Sequence, residues 1–139
     1  LCFLAEVSYE KITNYAKEQD YVKRIQDICE KLLGRAHVQQ TVIVTGILRK
    51  EAEKEMIGNL AVSGGKSTYL ETPYTGKGFS GTGDLFASVV CGALINGLSA
   101  DQAMEKAVSF LQEAIEEASR KNIPRNHGVY FEKYLSRLL

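Results

Sequence analysis

The stretch GKGFSGTGDLFAS, Gly76 to Ser88, constrains this chain more than any other. Four glycines fall in eight residues, and an aspartate then opens a long apolar run. Glycine weakens a regular element by about 0.5–1 kcal/mol relative to alanine, so a turn this rich in it must need bare backbone. Gly81 and Gly83 are free to take positive φ, which lets consecutive N–H groups converge into an anion-binding nest. Behind them the first amides of the following helix have no intrahelical partner and carry the positive end of its dipole. Gly81, Thr82 and Gly83 are therefore a candidate anion hole for a phosphate whose charge shifts during transfer, with the Thr82 hydroxyl as a further donor. Asp84 faces the same space, and a carboxylate beside a phosphate can accept a proton from an attacking hydroxyl. An aspartate after a glycine turn is equally an ordinary helix-start residue, and pattern alone leaves both readings open.

A second glycine-rich stretch competes for the phosphate. SGGKST, Ser63 to Thr68, is similar to the tail of a G-x-x-x-x-G-K-[ST] loop. The first glycine of that motif would have to be residue 60, which is leucine, and no helix follows to aim amides at an anion. Met56–Val62 and Ser67–Pro73 flank the Gly-Gly pair as two strands, so the stretch reads as a hairpin tip.

The rest of the chain supplies context. Tyr15 to Leu33 carries an apolar stripe at helical spacing (Val22, Ile25, Ile28, Cys29, Leu32, Leu33), and Gly34 is placed to end it. Leu1 to Val7 reads as the end of a helix. TVIVTGI, Thr41 to Ile47, is short, β-branched and almost wholly apolar, the pattern of a parallel-sheet strand buried on both faces. The charged RKEAEKE reads as a solvated loop. After the glycine turn, Asp84–Asn96 is apolar all round and predicts a fully buried helix ended by Gly97. Ser99 with Gln102 forms a capping box for a helix over Ala100–Lys121, and a last helix is predicted near Val129–Leu138. The order, helix then strand then hairpin then helices, predicts an α/β fold. A lone parallel-type strand needs neighbours, so we expect the chain to be the C-terminal half of a domain whose other strands lie upstream of Leu1, and to lack activity alone.

At 139 residues, 45% hydrophobic and with equal numbers of acidic and basic side chains, the chain has the composition of one globular domain. It lacks the basic excess of a nucleic-acid binder, and no 18-residue apolar run predicts a membrane partner. Cys2, Cys29 and Cys91 form no CxxC pair and read as buried thiols in a cytoplasmic setting. His37 and His127 have no partner at ligand spacing, so no metal-ligating residue is nominated.

The G-x-G-D loop opening a buried helix resembles the signature of the ribokinase-like superfamily. More narrowly, GTGDLFAS with GALINGLSADQAMEKAV, and the closing GVYFEKYLSRLL, look like bacterial pyridoxal kinases. That resemblance implies the C-terminal half of a three-layer αβα fold, with a central mostly parallel sheet, an antiparallel hairpin and flanking helices. It implies ATP-dependent phosphorylation of the hydroxymethyl group of pyridoxal, pyridoxine or pyridoxamine, with Mg²⁺ bridging phosphates, and a homodimer. Asp84 would be the catalytic base, and Gly81, Thr82 and Gly83 the anion hole. Thr45 and Gly46 would approach the ATP phosphates from a strand end. Thr72 and Phe79 would lie beside the nucleotide, Phe79 near the base, and Val108 would wall the adenine pocket. Hydroxymethylpyrimidine kinases also resemble the chain but usually carry cysteine where Asp84 stands, which favours the pyridoxal branch. The family's TPN segment, expected just before Leu1, is not in this sequence.

Overall fold

The computed structural model describes residues 1–13, 20–51 and 53–139, which fall into two compact units, 1–74 and 75–139. The first holds short helices α1 (Cys2–Ala5) and α2 (Tyr9–Thr13), helix α3 (Tyr21–Leu33), and strands β1 (Thr41–Glu51), β2 (Lys54–Ser63) and β3 (Lys66–Pro73). The second holds α4 (Thr82–Ile95), α5 (Ala100–Arg120) and two 3₁₀ segments, Arg125–His127 and Glu132–Leu138.

In the first unit α3 begins at Tyr21; the expected Tyr15–Gln19 portion lies outside the described residues. Its inward face is Tyr21, Ile25 and Cys29, packed with Ile47, Leu60 and Val62 of the sheet. Burial pushes the Cys29 thiol up to about 11, the behaviour of a core thiol. The three strands form a meander in the order β1-β2-β3, antiparallel throughout. Two expectations are thereby corrected. TVIVTGI is not a parallel strand buried on both faces: β1 is an edge strand of this sheet and runs on to Glu51, and the consecutive buried residues lie on the central strand at Leu60, Ala61 and Val62. The charged stretch is not a free loop, because Lys50 pairs with Glu55 and Glu51 with Lys54 in a hairpin; Ala52 lies outside the described residues. Between Val44 and Ile47 the register slips, with Gly46 at φ 71°. The bulge inserts one residue and reverses the side-chain phase. Val42 and Val44 before it, and Ile47 after it, can therefore all pack toward α3.

In the second unit α4 packs on α5. The expectation that α4 is buried all round is not met within this unit: Phe86, Val90 and Ala93 face inward, whereas Ile95 is 79% exposed. Gly97, at φ 86°, ends α4 with two reverse bonds, its own N–H to Leu94 O at 3.0 Å and Leu98 N–H to Ala93 O at 3.1 Å, the pairing that satisfies a helix C-terminus. The Ser99–Gln102 capping box starts α5 as expected. The predicted last helix is instead 3₁₀. It is anchored to α5 by Glu117, the one described charged residue that is buried, through Tyr134 Oη at 2.9 Å and through Lys133.

Candidate active site

The glycine turn lies wholly in the second unit. Gly81 is the N-cap of α4 at φ 82°, ψ −8°, left-handed backbone that an L side chain rarely adopts. Thr82 and Gly83 follow in the helix. A left-handed residue followed by a right-handed one turns successive N–H groups to the same side, so the Gly81, Thr82 and Gly83 amides converge. No side chain caps this end, which leaves the first-turn donors open to a ligand. Two details differ from expectation. Gly83 has ordinary helical backbone rather than positive φ; what it contributes is open space, since a Cβ there would meet nothing within 4 Å. The Thr82 hydroxyl donates to Phe79 O at 2.9 Å, so its proton holds the turn and only its backbone is free to donate outward.

Asp84 is the third helical residue. It is exposed and makes no ion pair or side-chain hydrogen bond among the described residues. The dipole favours an acid in this first turn, and the residue opens onto a cavity of about 350 Å³ that Gly81, Ser80, Ser88, His127 and Gly128 also line. A larger, mainly apolar groove of about 710 Å³ runs between α4, α5 and the C-terminal residues, and Leu85, Ser88 and Phe131 line both.

The other nominated residues are distributed differently. Phe79 is buried with Ala114, Ala118 and Val129 in the core of the second unit, and Val108 is half-buried on α5. Thr45, Gly46 and Thr72 lie in the first unit. Thr45 and Gly46 sit at the β1 bulge in mid-strand, not at a strand end, and Thr72 pairs with Ile57 in β3. The structure thus places Asp84 and Gly81 on one cavity, with Thr82 and Gly83 between them in the first turn of α4, while Thr45, Gly46 and Thr72 belong to the other unit.

Sequence reasoning missed the back wall of the cavity. His127 and Gly128 reach it through a chain reversal after α5 that no periodicity marks. The available signal was Gly128 itself, at φ 72° beside a 3₁₀ turn, where a Cβ would stand 3.1 Å from Ser80 O. Among the described residues no group of three or more His, Cys, Asp or Glu side chains could hold a metal ion, and no helix is long and apolar enough to cross a membrane.

Known proteins share this fold. A Bacteroides thetaiotaomicron protein assigned as a phosphomethylpyrimidine kinase superposes in its rhombohedral crystal form with a TM-score of 0.74 at 25% identity, over 88% of this chain and 41% of that one. Its orthorhombic form, solved with pyridoxal, gives 0.68 over 88% and 42%. A pyridoxal kinase from Lactobacillus plantarum gives 0.68 at 22% identity, over 83% and 41%, and shows the fold. The chain therefore spans about two-fifths of the length of these structures. No curated protein matches. The phosphomethylpyrimidine kinase family model matches residues 6–130, through the strands, the glycine turn and both long helices, and the chain belongs to that family of small-molecule kinases.

Proposed function

We propose that the protein carries the catalytic-base half of an ATP-dependent kinase acting on the hydroxymethyl group of a pyridoxal-type vitamer. The observation that carries the reading is Asp84, unengaged and three residues into α4, opening onto the same cavity as the left-handed Gly81 turn. In the reaction the hydroxymethyl oxygen attacks the γ-phosphorus of ATP, the bond to the β-phosphate oxygen breaks, and ADP leaves. Asp84 takes the hydroxyl proton and later returns it to water. The Gly81, Thr82 and Gly83 amides donate to the phosphoryl oxygens as charge shifts among them. Magnesium would arrive on the nucleotide's own phosphates, as it commonly does.

Two observations divide on the substrate. The family's name points to the pyrimidine branch, whose substrates are a phosphomethylpyrimidine or its hydroxymethyl precursor, whereas the solved relative holding pyridoxal and the aspartate at position 84 support the B6 branch. Supplying ATP and magnesium to the intact protein with pyridoxal, pyridoxine, hydroxymethylpyrimidine and phosphomethylpyrimidine in parallel, and measuring each phosphorylated product, decides it. Pyridoxal phosphate as the main product is expected; a phosphorylated pyrimidine as the main product reverses the substrate, and no phosphorylated product from any of them rejects the kinase reading.

A further inference from the structure

Arg125 grips the approach to the glycine turn at two points. Its Nε donates to Gly78 O at 2.8 Å, and its own carbonyl accepts from Ser80 N–H at 2.9 Å. Two more contacts press the same segments together. Lys77 Nζ donates to Asn122 Oδ1 at 2.9 Å, and Gly128 lies against Ser80 with no room for a side chain between them. Residues 77–80 belong to no helix or strand, so their place is fixed by these cross-links and by the buried Phe79 ring rather than by a ladder of their own. The next residue is Gly81, whose orientation aims the converging amides.

We propose that Arg125 is a positioning residue for the anion hole, setting where the Gly81, Thr82 and Gly83 amides point without touching the substrate. The inference rests on the phosphoryl-transfer reading above. Its physical basis is that fixed donors act on a transition state only when already aimed, and a displacement of about 1 Å can cost about 10²-fold in rate. Arg125 could instead act merely as a cation near an anion, and the atoms separate the two. The clamp uses Nε, and glutamine places its Nε2 at the same number of bonds from the backbone, without charge. Lysine keeps the charge but sets its only nitrogen one bond farther out.

The test is a titration of the chain with inorganic phosphate, followed at the Gly81, Thr82 and Gly83 amide resonances, in the wild type and in Arg125→Ala, Arg125→Gln and Arg125→Lys. Arg125→Ala should weaken phosphate about tenfold, the scale of one charge-assisted hydrogen bond. Arg125→Gln should stay close to wild type and Arg125→Lys should follow Ala. Should the alanine variant not fold, the Gln and Lys variants decide alone. Recovery by Lys but not Gln would make the effect one of charge and overturn the clamp, as would an Ala variant that binds like wild type. A wild-type protein whose amides ignore phosphate would reject the anion hole itself, and this inference with it.

Discussion

Gly64–Gly65 and Gly81–Gly83 look alike in the sequence and do different work in the structure. At the β2–β3 tip both glycines have positive φ, 54° and 78°, the backbone of a two-residue hairpin turn. The residues on either side, Ser63 and Lys66, pair directly across it, so the turn closes a ladder and leaves little for a ligand. At Gly81 a single left-handed residue turns the chain into α4 and no side chain caps the helix. One turn completes the hydrogen bonding of its surroundings and the other leaves donors open. What separates a phosphate site from a decorative glycine run is therefore the element that follows, which is why GGKST beside a strand reads as a hairpin tip and GTGD before a helix is a candidate site.

The sharpest way to break that contrast is to remove the carboxylate from one side of it. Asp84→Asn keeps size and hydrogen-bonding capacity but cannot accept a proton. In the intact protein, kcat should fall by about 10²–10⁴-fold, the usual range for loss of a general base, while ATP affinity survives. Turnover near wild type would leave Asp84 as a helix-start residue and nothing more.

Next in size is Gly81→Val. A β-branched residue at φ 82° should destabilise the helical unit by about 1–3 kcal/mol and displace the amides behind it, so melting temperature and phosphate affinity should fall together. Gly83 sharpens the point by contrast. Its backbone is helical and its Cβ position is empty, so Gly83→Ala should raise stability, by up to about 1 kcal/mol, yet weaken phosphate by placing a methyl group where the anion approaches. Equal affinity for phosphate in Gly83→Ala and wild type would move the anion away from that amide.

The two turns also differ in what supports them from outside their own segment, and pH reads this out. The C-terminal 3₁₀ segment next to the cavity wall is tied to α5 by Glu117. Hydrogen bonds from Lys121, Lys133 and Tyr134 hold its carboxyl down to about 2, against about 4.3 in an unfolded chain. Because the folded value is the lower one, this contribution is complete above about pH 4.3 and is lost as pH falls through about 2. Thermal unfolding of the wild type should therefore drop across that window. Glu117→Gln should melt lower at pH 7 and show a flatter profile, and an unchanged profile would show that another carboxylate governs acid stability.

How much of this could be read beforehand follows the same division between local and non-local causes. The Gly81 turn, the capping box at Ser99, the Gly97 stop and the Gly64–Gly65 hairpin were legible because each is decided within a few residues. The pairing of β1 was not. The bulge at Thr45–Gly46 joins two alternating halves out of phase, placing Val44 and Ile47 on one side. No single-strand period describes that. The α4 sequence reports that the helix is apolar all round, but not which of its faces this unit covers. His127, Gly128 and Arg125 were invisible for a third reason: they stand on a reversal that depends on α5 ending at Arg120, and on Asn122 taking φ 52° to satisfy the helix end.

The smallest expected effect is the one that protects the whole comparison. Lys66→Ala should leave ATP affinity unchanged and shift stability by no more than about 0.5 kcal/mol, as surface substitutions usually do. Lys66 is exposed, sits at the first position of β3 and faces Ser63 across the turn. The element it opens is a strand, which aims no free helix amides at a phosphate. A lysine in a true phosphate loop acts as a point charge on the phosphate oxygens and would lose most of the affinity on truncation. Measuring ATP binding by calorimetry for Lys66→Ala and Gly81→Val side by side makes the assignment exclusive. Loss in Gly81→Val alone places the anion at the start of α4. Loss in Lys66→Ala alone would move it to the hairpin, and the roles of Asp84, the converging amides and the Arg125 clamp would fall with that move.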